Sequence, residues 1–369
     1  MATNHGAFQP YQKAPALEIR DAPYPHPSKG QIVIRNHAVA INPIDTLIQS
    51  RGNIMYTYLN YPFVLGYDMA GDVIEIGEGV TRFKVGDRVL GFSRGAEKRI
   101  NDAAHGAFQH YAVVYEDLAA QIPPHVDFEH AATLPLTVAT ASAALFDGSQ
   151  LGMQLPTEPK RPRIGKTVLI WGGSTSVGCN AVQLAVAAGY EVFTTASPRN
   201  HEYLRKLGAV QVWDYKSKTV VDDITAALNT KTFAGAVSIG PGAAEKCIQI
   251  VERCDGNKFV SMVTFPVPEK EPRNFVILRT VAMYASSLIS YKIRGAMKGF
   301  KSNLVLIAPT LENGIAKHIF TEFLPRALEA GTFIPAPEPE VVGHGLQHVQ
   351  KAFERLREGV SAKKLVVTL

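Results

Sequence analysis

The sequence predicts an α/β protein that combines a doubly wound parallel sheet with a separate β barrel. From about Ala131 onward, helical segments alternate with short apolar strands, as in a doubly wound sheet. Residues 20–120 instead carry Gly, Pro and short β-branched runs, which favours a barrel. A glycine-rich turn, GGSTSVG, follows one apolar strand and opens a helix. With 369 residues, the chain is long enough for two such domains.

The composition is that of an ordinary globular protein, with 46% hydrophobic and 19% charged residues. The formal net charge of +5 is spread along the chain without a long basic run, so nucleic acid is a poor candidate partner. The three cysteines, Cys179, Cys247 and Cys254, make no disulfide framework and predict a reducing compartment. The sequence has no signal core and no run of about 18 apolar residues, which predicts a cytoplasmic protein without a membrane span.

In the barrel region, short β-branched runs predict strands at residues 32–35, 72–76 and 88–90. Turn signals separate them. Further along, apolar runs predict the strands of the parallel sheet, namely residues 167–171, 191–195, 211–213, 236–239 and 258–263. After about residue 300, the pattern predicts helices over 315–330 and 347–358 and a last strand over 364–369.

The glycine-rich turn predicts a dinucleotide site. Gly172 and Gly173 allow a sharp turn into a helix whose free N–H groups and dipole attract pyrophosphate, and Gly178 lets that helix pack closely on the strand. A strict G-x-G-x-x-G pattern would place its second glycine at Thr175. The candidate phosphate contacts are therefore the turn itself and the residues that open the helix, Gly173, Ser174, Thr175, Ser176 and Val177. A serine-rich loop before an ordinary core helix is the alternative.

The end of the next strand predicts a preference for NADPH. Sites selective for NAD usually place Asp or Glu about 20 residues after the glycine turn, where it binds the ribose 2′-hydroxyl. Here that region carries Ser197 and Arg199 and no acidic residue. A hydroxyl and a guanidinium can both donate to a 2′-phosphate, and Tyr215, after the third strand, can add its phenol.

Five segments, in order along the chain, resemble the markers of the medium-chain dehydrogenase/reductase superfamily. They are AINPIDTLIQSRG (40–52), YPFVLGYDMAGDVIEIGEGVTRFKVGDRVLGF (61–92), GAFQHYAVV (106–114), AATLPLTVATASAAL (131–145) and SAKKLVV (361–367). The resemblance implies a GroES-like β-barrel catalytic domain made of residues 1–130 and 300–369. It assigns residues 131–299 to a Rossmann NADPH-binding domain. Such proteins are found as monomers and as homodimers.

The zinc ligands of that superfamily are replaced in this chain. Asn42 stands where zinc alcohol dehydrogenases carry Cys, and Tyr67 and Asp68 stand in place of a His-Glu pair. Residues 92–107 contain none of the four cysteines of the second zinc lobe. Because tetrahedral zinc needs thiolate and imidazole ligands, no metal site is expected.

The chain is similar to the zinc-independent reductases, which include quinone oxidoreductases and a fungal enoyl-reductase-like branch that partners polyketide synthases. We therefore expect an NADPH-dependent reductase that transfers hydride to an activated double bond, in a 2-enoyl thioester or an enone, and that serves secondary metabolism. Its partners would be that small molecule and, as a candidate, a polyketide synthase. An NADPH quinone oxidoreductase is the first alternative. A non-catalytic NADPH-binding sensor or partner protein is the second.

The resemblance also assigns site residues. It places Thr140 near the nicotinamide, and it places Ser238, Ile239, Ser261 and Met262, at later strand ends, around the ribose and carboxamide. Tyr67 is a candidate acid, since a phenol can bond a carbonyl or protonate an enolate; the alternatives are that it only fills space and that the proton comes from solvent. Asn42 is a candidate substrate contact or a turn residue before Pro43, and Asp45 is a cap or a substrate contact.

Overall fold

The computed structural model describes residues 3–265 and 276–369 and separates into two compact units. The first comprises Met1–Thr137 and Phe320–Leu369, and the second comprises Val138–Ile319. The strands are β1 Asn4–Gln9, β2 Glu18–Ala22, β3 Gln31–Ala40, β4 Phe63–Val64, β5 Asp68–Ile76, β6 Arg88–Phe92, β7 Tyr111–Tyr115, β8 Ala119–Gln121, β9 Lys166–Trp171, β10 Glu191–Ala196, β11 Gln211–Asp214, β12 Thr232–Ser238, β13 Phe259–Met262, β14 Lys301–Leu304, β15 Glu338–His344 and β16 Lys363–Thr368.

The α-helices begin with α1, Pro43–Met55, which follows β3. The others are α2 Phe128–Ala132, α3 Pro135–Phe146, α4 Ser176–Ala187, α5 His201–Lys206, α6 Val220–Leu228, α7 Ala243–Val251, α8 Val276–Lys298, α9 Ala308–Glu312, α10 Ile315–His318, α11 Leu324–Glu329 and α12 His348–Arg357. The predicted helix over residues 315–330 is interrupted. A π-helical turn, Ile319–Phe323, separates α10 from α11.

The first unit is built mainly from antiparallel strands, as the β-branched runs and turn signals predict. One sheet has the order β15-β16-β3-β5-β6-β8, with β7 also paired to β3, and a second sheet has the order β2-β1-β4. Strand β16 pairs in parallel with β15 and antiparallel with β3, so the C-terminal segment is part of the same sheet as residues 31–121. This pairing brings the end of the chain beside the start of α1.

The second unit contains the predicted doubly wound sheet. Its six strands are parallel in the order β11-β10-β9-β12-β13-β14, so the direction of winding reverses between β9 and β12. Nucleotides bind at such a switch point, outside the carboxyl ends of the strands. The apolar core includes Leu169, Phe193, Ile224, Ile248 and Val260, each fully buried. The predicted fold class, a Rossmann unit joined to a barrel-type unit, is confirmed.

The boundaries between the units differ from those predicted. The sequence places the return to the first domain at residue 300, whereas the second unit extends to Ile319. The reason is β14, which pairs in parallel with β13 and completes the sheet. Its sequence, KSNL, has three polar residues and one apolar residue, so it lacks the apolar run of a buried strand. The first boundary lies at Thr137 rather than residue 130, within α3.

Candidate active site

The turn between β9 and α4 has the close approaches that require glycine. Gly172 has a φ of 89°, and a Cβ added there would lie 2.5 Å from the Ile239 carbonyl oxygen. A Cβ on Gly178 would lie 2.3 Å from the Gly172 carbonyl oxygen, so only glycine lets α4 start this close to the strand. Gly173 is buried and donates its N–H to Thr195 at 3.0 Å. The predicted glycine turn is therefore present as a compact strand-turn-helix.

Thr175 caps the helix instead of offering its hydroxyl to a ligand. Its Oγ1 accepts the Gly178 N–H at 3.0 Å and donates to the Gly172 carbonyl at 2.7 Å. This role explains why a threonine stands where a strict motif has a second glycine. The Thr175 hydroxyl is therefore already engaged within the turn. The N–H groups of Ser176 and Val177 lie in the first turn of α4, where the helix offers no carbonyl oxygen to accept them. Together with the half-buried Ser174, they remain the candidate donors to an anion.

Two adjacent parallel strands end beside each other next to this turn. Ala196 of β10 is in register with Asp214 of β11, so the residues that follow, Ser197 and Tyr215, leave the sheet at the same edge. Arg199 is exposed, and Tyr215 is 42% exposed with Lys216 Nζ 5.7 Å from its ring centre. The Asp214 carboxylate accepts the Lys216 N–H at 3.0 Å. The strand ends that carry Ser197 and Tyr215 are thus adjacent, and Arg199 follows Ser197 by two residues.

The serine hydroxyl groups at the ends of β12 and β13 differ in their hydrogen bonding. Ser238 is 1% exposed, and its Oγ has no hydrogen-bond partner among the described residues, which is unusual for a buried hydroxyl. Ile239 follows it and donates its N–H to Trp171. By contrast, the Ser261 hydroxyl donates to the Ala144 carbonyl at 2.9 Å and is fully buried, as is Met262 beside it. The Ser261 hydroxyl is therefore already engaged within the protein, where it joins β13 to α3.

These features fit a nicotinamide dinucleotide. The glycine turn leaves no room for side chains where a pyrophosphate would sit, and the start of α4 presents N–H donors. At the switch-point strand, the buried Ser238 hydroxyl lacks a partner within the part of the chain that the structure describes. Thr140 lies half-buried in α3 and is already engaged in an interaction within the protein. A cavity of about 470 Å³ borders this edge, lined by Gly240, Glu245, Phe265, Ser290, Tyr291 and neighbouring residues.

The first unit contains a buried ionic cluster at the positions where related zinc enzymes hold metal. Lys364 Nζ lies 3.0 Å from Asp68 Oδ2, and the two side chains are 4% and 0% exposed. Asn42 donates its Nδ2 hydrogen to Asp68 at 2.8 Å and accepts a hydrogen bond from Lys364 on its Oδ1. The other Asp68 oxygen accepts the Leu136 N–H at 2.6 Å. Both ends of the Asn42 amide are thereby engaged inside the protein, which does not favour the predicted substrate contact.

Asp45 is fully buried in the first turn of α1. Its Oδ2 accepts the Asn42 N–H at 2.8 Å, so the expectation of a capping role is confirmed. Its Oδ1 has no partner among the described residues. Burial raises the pKa of Asp45 to about 8; the Asn42 N–H opposes this shift, and the neighbouring Asp68 adds to it. At neutral pH the carboxyl group is therefore mostly protonated.

Tyr67 is buried, and its phenol interacts with the phenol of Tyr56. Its ring stacks on Phe92, with 6.1 Å between the ring centres. Burial raises the pKa of Tyr67 well above its ordinary value of 10. The electrostatic effects of the Tyr56 phenol and the Asp45 carboxyl group raise this pKa further. Tyr56 is the C-cap of α1, is only half-buried, and lies 5.8 Å from the ring of Tyr58. Tyr67 thus remains a phenol over the whole physiological pH range.

Sequence reasoning missed Lys364, and it named Tyr56 only as one of several residues that the resemblance places around the substrate. The closing segment SAKKLVV has two adjacent lysines, and only strand pairing of β16 with β3 decides that Lys364 points inward while Lys363 is exposed. Tyr56 lies among several tyrosines in MYTYLNYP, and no local pattern distinguishes it from Tyr58 or Tyr61.

Within residues 3–265 and 276–369, no group of three or more His, Cys, Asp or Glu side chains is arranged to hold a metal ion. None of the helices in those ranges is both long and apolar enough to cross a bilayer. All three cysteines are buried and unpaired, and burial raises their thiol pKa values.

The chain is similar to known proteins over its whole length. The model of the alcohol dehydrogenase GroES-like domain matches residues 28–124. Dehydrogenase pigH of Monascus ruber is 56% identical, covering 100% of both chains. Trans-enoyl reductase himH of Aspergillus japonicus is 36% identical and covers 99% of this chain and 97% of its own. The solved structure of a quinone oxidoreductase from Coxiella burnetii is 25% identical, with a TM-score of 0.66 and 99% of each chain covered.

Proposed function

The chain belongs to the medium-chain dehydrogenase/reductase family of oxidoreductases, which use a nicotinamide cofactor, and we propose that it is an NADPH-dependent reductase of activated double bonds. Its substrate would be a 2-enoyl thioester or an enone, and it would act without zinc. The observation that carries the choice of cofactor is the end of β10. There Ser197 and Arg199 stand where a carboxylate would select NADH.

The cofactor is held mainly by main-chain groups and by the strand ends. The turn of Gly172 and Gly173 and the N–H groups of Ser176 and Val177 receive the pyrophosphate. Ser197, Arg199 and Tyr215 bind the 2′-phosphate by charge-assisted hydrogen bonds. The Ser238 hydroxyl, which has no partner among the described residues, faces the ribose and carboxamide together with the backbone of Ile239 and Met262, and Thr140 lies near the nicotinamide. When bound there, NADPH supplies a hydride for the acceptor.

Reduction of an activated acceptor suits the buried cluster of the first unit. Alcohol oxidation needs a group that stabilises an alkoxide, and zinc serves this purpose in related enzymes. Here the ligand positions carry an amide, a phenol and a carboxylate, and Lys364 already neutralises Asp68. Hydride addition to a polarised double bond requires chiefly orientation and a hydrogen bond to the carbonyl oxygen. The phenol pair of Tyr67 and Tyr56 is the candidate donor.

The class of acceptor is proposed from the relatives. A trans-enoyl reductase of 36% identity over nearly the full chain favours a 2-enoyl thioester or enone, in secondary metabolism and with a polyketide synthase as candidate partner. The likeness to a quinone oxidoreductase favours quinone reduction as the second candidate. The three buried, unbridged cysteines support action in a reducing compartment such as the cytoplasm.

The test is NADPH oxidation by the purified protein, with NADH in parallel, against a 2-enoyl thioester, a simple enone and a quinone, with the products identified. We expect saturable reduction of the thioester or the enone with NADPH. Turnover with the quinone alone would assign the protein to the second candidate function. Tight NADPH binding without turnover of any acceptor would contradict both and favour a cofactor-binding sensor.

A further inference from the structure

The cavity of about 470 Å³ in the second unit lies between the start of α7 and one side of α8. From α8 it is lined by Met283, Ser287, Ser290 and Tyr291, whose spacing of three and four residues places them on one side of the helix. Ala244, in the first turn of α7, lines it from the other side. Its volume falls within the range of small-molecule sites, about 300–1,000 Å³.

Tyr291 borders this cavity with a polar group that the protein leaves unused. The residue is 8% exposed, and it packs in the apolar core of the second unit. Its hydroxyl has no hydrogen-bond partner among the described residues. Because buried hydroxyl groups are nearly always paired, the phenol is available to a molecule in the cavity.

Two serines add further hydroxyl groups. Ser287 is half-buried and Ser290 is exposed, and neither side chain has a partner within residues 3–265 and 276–369. Ser286 lines the cavity as well, but its hydroxyl donates to the Met283 carbonyl at 2.9 Å, within the helix. Three uncommitted hydroxyl donors, those of Ser287, Ser290 and Tyr291, therefore border one cavity.

The carboxylate of Glu245, which also lines the cavity, is already paired. Its two oxygens accept the Arg294 guanidinium at 3.0 and 2.8 Å, and Oε1 also accepts the Gln249 amide at 3.0 Å. Arg294 pairs with Glu252 as well, at 3.0 Å. One guanidinium and two carboxylates leave a formal net charge of −1 beside the cavity, which disfavours an anionic ligand.

We infer that this cavity binds a carbonyl group on an apolar carbon framework. The free hydroxyl groups need an acceptor, and a neutral carbonyl oxygen is an acceptor without the charge that Glu245 and Glu252 would repel. Apolar surface for the rest of the ligand comes from Met283 and from Phe265, which is 39% exposed.

Which carbonyl compound enters the cavity rests on the proposed function. Ser238 is in register with Met262, and Met262 belongs to the same apolar cluster as Ala244 and Tyr291, so Ser238 lies on the sheet face that α7 and α8 cover. Gly240, two residues after Ser238, lines the cavity. Since the nicotinamide half of the cofactor is proposed to lie at Ser238, the cavity would hold a second carbonyl group of the acceptor, remote from the double bond that is reduced.

The first test measures binding without turnover. Acetophenone and ethylbenzene have nearly the same shape, and only acetophenone has a carbonyl oxygen. Titration of each into the full chain, followed by ligand-observed NMR, should show acetophenone bound about 3- to 10-fold more tightly, as expected for a hydrogen bond. Tyr291→Phe should remove most of this preference and leave the affinity for ethylbenzene unchanged.

Ser286→Ala is the matched control. It removes a hydroxyl from the same cavity, but one that is already bonded to the Met283 carbonyl, and its affinities should equal those of the wild type. The melting temperature of each variant identifies any that fails to fold.

The second test measures turnover with NADPH. The acceptors are 3-undecen-2-one and its 8-oxo, 9-oxo and 10-oxo derivatives, in which a second carbonyl stands at increasing distance from the double bond. In the wild type, at least one derivative should have a KM about 3- to 10-fold below that of the parent enone. Tyr291→Phe should raise this KM to that of the parent and leave kcat unchanged.

Equal binding of acetophenone and ethylbenzene by the wild type would overturn the inference. So would a preference that persists in Tyr291→Phe, because the carbonyl would then be bound elsewhere. A wild type that reduces all four enones with the same KM would show that the acceptor does not enter the cavity. Failure of the proposed function is distinct, since the enones would not be reduced at all while the preference for acetophenone would still depend on Tyr291.

Discussion

The Lys364 ammonium and the Asp68 carboxylate lie 3.0 Å apart and almost completely buried, and Asp68 stands at a position that the family resemblance assigns to a zinc ligand. The lysine comes from the last strand, and the aspartate begins β5. A positive charge is thus present in this position, but it belongs to the protein. Because Asp68 also binds Asn42 and the Leu136 N–H, this ion pair connects the end of the chain, α1 and the start of α3.

Breaking this pair should destabilise the protein strongly. Lys364→Met leaves Asp68 buried and uncompensated, and we expect a loss of about 3–5 kcal/mol in the free energy of unfolding. The double variant Asp68→Asn/Lys364→Met should be less destabilised than the sum of the two single changes, since neither charge remains. Urea denaturation measures each value. Lys363→Met, at the exposed neighbour, is the control and should stay within about 0.5 kcal/mol. Strict additivity of the two single changes would contradict the pairing.

Asp45 should make stability fall as the pH rises. Its pKa increases from 3.8 to about 8 on folding, so the folded state keeps a proton that the unfolded state releases. Its stabilising contribution is complete below about pH 4 and is lost progressively up to about pH 8, by at most about 1.4 kcal/mol per pH unit. Asp45→Asn should remove this slope. Thermal or urea unfolding between pH 5 and pH 8 tests it.

The control for that series is Asp255→Asn, which removes an exposed carboxyl group from the second unit. Its stability should follow the pH profile of the wild type. An unchanged slope in Asp45→Asn would show that the carboxyl group is ionised in the folded protein at neutral pH.

Replacement of Ser197 and Arg199 by Ala should separate the two cofactors. Each side chain provides a charge-assisted contact to a 2′-phosphate, and each such bond is worth about 1.5–3 kcal/mol. We therefore expect NADPH affinity to fall roughly 10- to 100-fold per contact while NADH affinity changes little. Fluorescence titration of each cofactor measures both constants. Arg253→Ala, which removes an exposed guanidinium paired with Asp222, is the control. Equal loss for both cofactors would reject the 2′-phosphate assignment.

Gly178→Ala should damage the cofactor site directly. The new methyl group would lie 2.3 Å from the Gly172 carbonyl oxygen, so the turn and the start of α4 must separate. We expect lower affinity for both cofactors and a loss of about 1–3 kcal/mol in stability, typical of overpacking. Gly148→Ala is the matched control, because a Cβ there meets no atom within 4 Å. A fully stable Gly178→Ala protein with normal cofactor binding would show that the turn can relax.

The sequence predicted the fold class and the nucleotide turn because both depend on local signals. Apolar runs of strand length, a helix that begins after two glycines, and turns at Gly and Pro are readable over a few residues at a time. The same holds for Ser197 and Arg199, which directly follow a predicted strand. The segment Lys301–Leu304 escaped prediction because its pairing with β13, and not its own composition, makes it a strand.

The sequence by itself therefore determined which elements form and which residues follow their ends. Only the tertiary structure decided which of those residues are already engaged. Thr175 caps α4, Ser261 donates to Ala144, and the Asn42 amide is held by Asp68 and Lys364. Contacts such as Lys364 with Asp68, or Tyr56 with Tyr67, join residues that no local pattern relates. Burial then raises the pKa of Asp45 and of both phenols, because the surrounding protein replaces the water that would stabilise their charged forms.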